Sequence, residues 1–353
     1  MNMTIRILLV IVAIAGIGLL FTFERPPVDV VQSGYRGVAM EQVYNPRTVA
    51  AQVQQNQLPA VIDPVDQSGP TAAEVYQNVQ VLGDLPETQF LRLMTAITEW
   101  VSPEQGCAYC HAEGEDFSSD SLYTKVVSRR MLQMTQTVNV DWEAHVGQVG
   151  VTCYTCHRGQ PVPTGIWFAN PGQRSASGGM AGWHNGQNQP SPAANLSSLP
   201  VDPFSAYFVD AANPIRVIGN TALPTGNDTS IQATEHTYSL MTHMSESLGV
   251  NCTFCHNSRA FASWEQSPPQ RVTAWHGIQM VRQLNADYLN PLQPTYPANR
   301  LGPLGDAPKA NCETCHKGIF KPLYGQGMLE TYPELDRKRA PGSAELEPAA
   351  AGQ

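Results

Sequence analysis

The sequence predicts a mainly α-helical protein with extensive irregular loops, built as two related halves behind an N-terminal transmembrane helix. Three observations predict this architecture: an apolar run near the N-terminus, four copies of one cysteine motif, and a repeat of the segments around those motifs. The 28 glycines and 28 prolines among 353 residues exceed average usage without reaching a disordered composition, as expected for long loops.

The apolar run extends from Ile7 to Phe23, is interrupted only by Thr22, and follows Arg6. Its length is at the short end of the roughly 17–25 residues that span a bilayer. A cleaved signal peptide is the alternative, because Ala13–Ala15 resembles a cleavage site, but cleavage there would leave the apolar segment Gly16–Phe23 as the new terminus. We therefore expect an uncleaved single-pass anchor, with Arg6 in the cytoplasm and the chain after about residue 25 outside it.

All eight cysteines lie in four C-x-x-C-H motifs. The motif residues are Cys107, Cys110 and His111; Cys153, Cys156 and His157; Cys252, Cys255 and His256; and Cys312, Cys315 and His316. This pattern attaches c-type haem: two thiols form thioethers with the haem vinyl groups, and the histidine binds iron from one face. Paired zinc sites or a disulfide framework would not explain a histidine after every second cysteine. We expect four covalently attached haem c groups.

Composition narrows the class of partner. Charged residues make up 14% of the chain, against about 25% in ordinary globular proteins. The formal net charge of −9 argues against nucleic acid as a ligand and suits a basic soluble partner.

The segments around the motifs repeat. Leu93–Thr95 before the first motif matches Leu240–Thr242 before the third, and Asn139–Trp142 before the second matches Asn285–Tyr288 before the fourth. Because a repeat fixes the architecture, we expect two helix–haem–helix–haem halves related by a pseudo-two-fold. The predicted segments are 1–25, the membrane anchor; 26–85, an N-terminal wrapping segment; 86–160, the first dihaem half; 161–230, a connecting segment; 231–320, the second dihaem half; and 321–353, a C-terminal tail.

Four helices are predicted from apolar residues at three- and four-residue steps. They span Phe90–Val101, Leu122–Met134, Ile231–Leu248 and Val272–Leu289. Pro103 and Gly106 end the first helix just before its motif. Residues 26–85 show little periodicity, residues 158–230 are rich in Gly, Pro, Ser and Asn, and the tail from Asp336 is interpreted as mobile.

The second axial ligands decide whether each iron only transfers electrons or has an open position for a substrate. Met94 and Met241 precede the first and third motifs in matching Leu-Met-Thr contexts. Methionine more often fills a hydrophobic core, but this matched placement favours iron ligation by both.

The second haem has two candidate methionines, Met131 and Met134. Met134 aligns with Met280, which favours packing for both, whereas Met131 aligns with Gly277 and so has a role particular to the first half. The fourth haem lacks a repeat-matched methionine, and His145 is the best candidate for its ligand. The other histidines outside the motifs are His184, His236, His243 and His276, and the residues alone leave the choice open.

These features resemble the tetrahaem cytochrome subunit of purple bacterial photosynthetic reaction centres, over most of residues 30–330. The resemblance implies three His/Met haems and one bis-histidine haem. Residue by residue, it implies Met94 for the first haem, Met131 for the second, Met241 for the third and His145 for the fourth. Many members of that family carry a lipid on an N-terminal cysteine, and here the apolar helix looks like its substitute.

The resemblance also implies a function. The chain would be an electron carrier without its own catalytic site, held at the inner (photosynthetic) membrane with its haem domain on the periplasmic side. It would cap the reaction-centre L, M and H subunits, near the light-harvesting antenna complex, and re-reduce the photo-oxidised bacteriochlorophyll pair. Soluble cytochrome c or a high-potential iron–sulfur protein would supply the electrons.

Two other classes of protein share part of this pattern. A membrane-anchored multihaem quinol dehydrogenase also has an N-terminal helix and four motifs, but it resembles shorter chains without this repeat. A multihaem reductase needs an open iron position, whereas here four candidate ligands fill four sites.

Overall fold

The computed structural model describes residues 2–22, 28–33, 40–170, 191–209, 213–217 and 231–337. Its α-helices are α1 Met3–Leu20, α2 Pro46–Gln55, α3 Ala72–Val75, α4 Glu87–Val101, α5 Tyr123–Asp141, α6 Glu143–Val146, α7 Cys153–His157, α8 Ile231–Leu248, α9 Gln270–Gln283 and α10 Cys312–His316. Two strands, β1 Asp29–Ser33 and β2 Met40–Tyr44, form an antiparallel pair. The protein is therefore mainly helical, as the sequence predicts.

Helix α1 overlaps the predicted apolar run from Ile7 to Leu20, and Phe23 at the end of that run lies outside the described residues. The helix has 18 residues, none of them buried, and at 1.5 Å per residue it is about 27 Å long, close to the roughly 30 Å hydrocarbon core of a bilayer. By length and composition α1 could cross a membrane, a property that signal sequences share.

The sequence did not predict the strands or α2 within residues 26–85. Val30, Val31 and Val43 are all exposed. At the strand positions whose side chains the structure describes, no buried face therefore imposes an alternating pattern on the sequence. Helix α2 does have a local signal, because the Asn45 side chain accepts a hydrogen bond from the Arg47 amide at 3.0 Å and Pro46 occupies the first helical position, where proline is favoured.

The order of elements repeats as predicted. Helix α4, a 3₁₀ turn at Gly106–Tyr109, α5 and α7 carry the first two motifs. Helix α8, a 3₁₀ turn at Cys252–Phe254, α9 and α10 carry the other two. The predicted helix Val272–Leu289 is α-helical as far as Gln283 and continues as a π-helical turn over Leu284–Leu289. The pseudo-two-fold relation of the halves stays a prediction.

One asparagine in each half holds the backbone ahead of the second motif. Asn139 accepts from the Val151 amide at 2.7 Å and donates to the Val151 carbonyl at 3.0 Å. Asn285 does the same with Ala310, at 2.9 and 3.1 Å. Both backbone partners lie two residues before a motif cysteine, so the matched asparagines place Cys153 and Cys312 in the same way.

A glycine after each second motif ties it to the helix that precedes the first motif of that half. Gly159 and Gly318 have φ angles of 77° and 78°, a region that glycine enters at little cost. Their amides donate to the carbonyls of Trp100 in α4 and Ser247 in α8, at 2.8 Å in both cases. These bonds link the two haem-binding segments within each half.

The largest hydrophobic cluster joins α4 to the C-terminal segment. Leu93 and Trp100 are buried against Tyr332 and Leu335, and the Trp100 and Tyr332 rings meet edge to face with their centres 4.7 Å apart. Arg92 donates to the carbonyls of Ile62, Asp63 and Thr331. The described part of segment 321–353 thus belongs to the core of the first half.

Two further clusters involve the second half. Trp167, Phe204 and Phe208 of the connecting segment pack against Leu240 in α8 and against α9. A smaller cluster joins α5 to α9 and the turn after it, and it includes both Met134 and Met280. The repeat-matched methionines therefore pack together.

Leu93 should contribute far more to stability than its neighbour Leu91. Leu93 is 0% exposed and Leu91 is 46% exposed on the same helix. Replacing a buried leucine by alanine costs about 2–5 kcal/mol through lost contacts and the cavity left behind, whereas an exposed site changes stability by roughly 0.5 kcal/mol or less. Guanidinium unfolding of the haem-loaded L93A and L91A proteins measures this difference, and equal losses would contradict the packing of α4.

Candidate haem-binding sites

A continuous cavity of about 1390 Å³ passes between the two halves, larger than the ~300–1,000 Å³ of ordinary ligand pockets. It is lined by the complete predicted residue sets of three sites: Met94, Cys107, Cys110 and His111; Met131, Cys153, Cys156 and His157; and His145, Cys312, Cys315 and His316. Of the third set only Cys255 lines it. Met241, Cys252 and His256 lie away from this space.

Five histidines share one hydrogen-bonding arrangement. In each, Nδ1 faces a backbone carbonyl: His111 to Phe117 at 3.1 Å, His157 to Gln160 at 2.9 Å, His256 to Phe261 at 3.0 Å, His316 to Ile319 at 3.1 Å and His145 to Thr273 at 2.9 Å. A carbonyl only accepts, so Nδ1 carries the proton and Nε2 keeps a free lone pair. This is the usual state of an imidazole that binds a metal through Nε2.

Burial keeps these imidazoles neutral. It lowers the pKa of His111, His145, His157 and His256 below the ordinary value. The pKa of His316 falls to about 4, first because of burial and then because of the neighbouring His145. Neutral imidazole is the form that donates to a metal, so the environment favours ligation.

The rings of His145 and His316 are adjacent, although 171 positions separate them in the sequence. Their ring centres are 6.0 Å apart and the ring planes make an angle of 69°. Two imidazoles on opposite sides of one metal, each with a bond of about 2 Å, have their ring centres about 6 Å apart. This separation fits two axial ligands of one iron, and a direct hydrogen bond would bring the rings closer.

Gly277 makes room for the His145 ring. A Cβ atom at position 277 would lie 2.5 Å from His145 Cε1 and 2.8 Å from its Nδ1, closer than real Cβ contacts. Position 277 is the repeat counterpart of Met131. From the sequence it was clear that this position lacks a methionine. The sequence did not reveal that the absence of a side chain leaves space for the His145 ring.

The other histidines are placed differently. His243 is buried and its Nε2 lies 3.1 Å from the Ser247 hydroxyl, so that nitrogen is already engaged. His236 has a buried Nδ1 without a hydrogen-bond partner among the described residues. His276 is half-buried on α9, and His184 lies outside the described residues.

The cysteines suit covalent attachment better than metal binding. All eight are free, and burial raises the pKa of Cys153 and Cys312 to about 12, which disfavours the thiolate that zinc requires. Among the described residues, which include every motif, no three His, Cys, Asp or Glu side chains converge on one point. The residues fit haem, because the motif histidines each keep Nε2 free to bind iron and the cavity is large.

The second and fourth motifs are adjacent. The Cys156 and Cys315 thiols are close enough to affect each other's ionisation, and α7 contacts α10. Phe254 of the third motif contacts Phe320, four residues after His316, with ring centres 5.0 Å apart. The motifs are therefore linked by direct contacts from the second to the fourth and from the fourth to the third.

Comparison with known proteins identifies a family that this chain resembles over most of its length. The profile of the family described as photosynthetic reaction centre cytochrome C subunit matches residues 24–336. Three curated proteins named photosynthetic reaction center cytochrome c subunit are similar. The one from Rubrivivax gelatinosus is 52% identical over 98% of this chain and 93% of its own length. The one from Thermochromatium tepidum is 49% identical over 92% and 79%, and that from Roseobacter denitrificans is 49% identical over 76% and 75%.

Gly277→Ala should displace His145. Alanine stabilises a helix interior by roughly 1 kcal/mol relative to glycine, so a purely local effect would be stabilising. The added methyl group instead collides with the imidazole and should weaken or abolish the bis-histidine signal in low-temperature electron paramagnetic resonance. Gln279→Ala on the same helix is the control and should leave that signal intact; an unchanged signal in G277A would contradict the placement of His145.

Proposed function

Since this chain belongs to the family of photosynthetic reaction centre cytochrome c subunits, we propose that it holds four haem c groups in a row and passes electrons to the photo-oxidised bacteriochlorophyll special pair. Membership of the family implies covalent haem c and a part in photosynthetic electron transfer. The number of haems, their ligands, the donor and the acceptor are our proposal. The observation that carries it is the set of five histidines with Nδ1 held by a carbonyl and Nε2 free.

The proposed ligands are His111 and Met94 for the first haem, His157 and Met131 for the second, His256 and Met241 for the third, and His316 and His145 for the fourth. When bound, haem supplies a one-electron couple at each site. Two protein ligands on each iron leave no open position, so we propose an electron carrier without a catalytic site of its own. The alternative quinol dehydrogenase and reductase receive no support from the family match.

The surface around the first motif suits a basic donor. Glu104, Glu113, Glu115 and Asp116 are all exposed there, and a single-sign surface attracts an oppositely charged partner. We propose that soluble cytochrome c, or a high-potential iron–sulfur protein, delivers electrons at this end.

The third motif suits a larger partner. Phe261, Trp264 and Trp275 are exposed around and beyond it, and exposed aromatic side chains are enriched in protein interfaces. We propose that this end meets the reaction-centre L and M subunits, with the H subunit and the light-harvesting antenna complex in the same assembly. Contacts from the second motif to the fourth and from the fourth to the third support a row in the order first, second, fourth, third.

Helix α1 supports attachment to the membrane. We propose that it anchors the chain in the inner (photosynthetic) membrane as a single pass. The haem-binding part then lies on the periplasmic side, where a soluble donor reaches the first motif.

Exchanging ligands should move individual potentials in known directions. His145→Met should raise the potential of the haem on Cys312 and Cys315, because a thioether favours ferrous iron more than imidazole does. Met131→His should lower the potential of the haem on Cys153 and Cys156 for the same reason. Redox titration followed in the α-band measures both, and His276→Met is the matched control because His276 is half-buried near His145 but is not a proposed ligand. A His145→Met shift in the Cys153 haem would overturn the assignment.

Flash excitation of membranes tests the function itself. As the special pair recovers, the absorbance of a c-type haem should show oxidation with the same time course. Met241→His should lower the potential of the proposed immediate donor and alter its redox state before the flash. Recovery without added soluble donor that is equally fast in membranes lacking this chain would exclude the proposed role.

A further inference from the structure

A cluster of three charged side chains, of which the two cations are buried, lies beside the first haem-binding motif. Lys125 and Arg129 of α5 are each only 7% exposed. Arg129 forms two hydrogen bonds of 2.8 Å with the Asp120 carboxylate, and the Lys125 ammonium lies 3.2 Å from the same carboxylate. Lys125 and Arg129 also line the cavity next to Cys110 and His111.

The cluster carries one net positive charge. Burial opposes ionisation of Asp120, but hydrogen bonds from Arg129, Asn78 and Lys125 outweigh it and lower its pKa to about 2. One carboxylate therefore faces two cations. The Asp120 side chain is 39% exposed, and Glu115 and Asp116 are exposed as well. Water therefore screens these three carboxylates more than it screens the two buried cations.

Lys125 and His111 share one acceptor. The carbonyl of Phe117 accepts from His111 Nδ1 at 3.1 Å and from Lys125 Nζ at 2.7 Å. Lys125 also donates to the Ser119 carbonyl at 2.8 Å, so its ammonium is held in place. The shorter, charge-assisted bond is the stronger of the two on Phe117.

This arrangement is particular to the first site. The corresponding carbonyls at the other motif histidines belong to Gln160, Phe261 and Ile319. In the part of the chain that the structure describes, no lysine or arginine side chain donates to any of these three. Lys317 is within electrostatic reach of His157, and Arg271 of His256. Among the described residues, the first site is therefore distinguished by a cation that shares the acceptor carbonyl of the motif histidine.

We propose that Lys125 is a positioning residue that raises the reduction potential of the haem on Cys107 and Cys110. This rests on the proposed function, in which His111 binds that iron. A hydrogen bond from Nδ1 to a carbonyl makes an imidazole a better donor to its metal. A carbonyl already bound to an ammonium accepts less strongly, so His111 stabilises ferric iron less. The buried positive charge acts in the same direction, because it disfavours the more positive oxidised centre.

Three variants of the full-length, haem-loaded protein separate charge from shape. Lys125→Gln keeps a donor for Phe117 and Ser119 but removes the charge, whereas Lys125→Arg keeps the charge. Arg130→Gln is the matched control: it removes a cation from the same helix, but the Arg130 guanidinium packs on the Tyr288 ring. Each is titrated optically, and the first haem is identified as the wave that Met94→His displaces.

Lys125→Gln should reduce the equilibrium constant for reduction of this haem on the order of tenfold, which lowers its potential by about 59 mV for one electron. Lys125→Arg and Arg130→Gln should leave it near the wild-type value, and the waves of the other haems should not move. Equal shifts in the Gln and Arg variants would indicate a merely structural role and overturn the proposal, as would no shift in Lys125→Gln.

The same samples report on the underlying assignment. Pyridine haemochrome spectra give the number of haems per chain, and the His/Met charge-transfer band reports ligation at the first iron. A missing haem or ligand in the wild type would refute the proposed function. Normal haem content and ligation with an unmoved potential would refute only the role of Lys125.

Discussion

The encounter between His145 and His316 constrains the whole arrangement. His145 belongs to the first half of the sequence, but its imidazole lies beside His316, in a site whose cysteines are Cys312 and Cys315. Its ring then rests against the backbone of α9 where Gly277 has no side chain, with Nδ1 on the Thr273 carbonyl. The small cluster that includes Met134 and Met280 packs α5 against α9 close to this crossing. The proposed ligation by His145 and this packing thus require the same register of the two halves.

The four motif histidines share a mode of support, and differences among the sites arise elsewhere. Each imidazole is partly buried and is oriented through a carbonyl, so this face of every site is nearly equivalent. The opposite face differs in the proposed ligands, either methionine or histidine, and the surroundings differ in charge, as at Lys125. With the proposed haems in place, a repeated scaffold with local changes would give one chain several distinct redox centres, since axial ligand, hydrogen bonding and burial each tune a haem.

Sequence reasoning reached the helices and motifs because their signals are local. Three- and four-residue periodicity identified α4 and α8, and the cysteine motif identified the attachment points. The strands β1 and β2 were missed because Val30 and Val43 are exposed and carry no alternating pattern. The place of Tyr332 and Leu335 in the first-half core depends on a contact more than 200 residues distant, which no periodicity encodes. The role proposed for Lys125 depends on its hydrogen bond to the carbonyl of Phe117, eight residues earlier. A lysine in the sequence, taken alone, suggests only a charge exposed to solvent.

The packing of Tyr332 and Leu335 on Trp100 has a consequence for how the protein is made. The core of the first half contains side chains from nearly opposite ends of the polypeptide, so it cannot close until the ribosome has completed almost the entire chain. A domain whose contacts are all local can fold as it emerges, but this one must wait. During that interval α4 and the first two motifs have no finished core around them, and the thiols of these motifs are fully accessible to the chemistry that attaches haem.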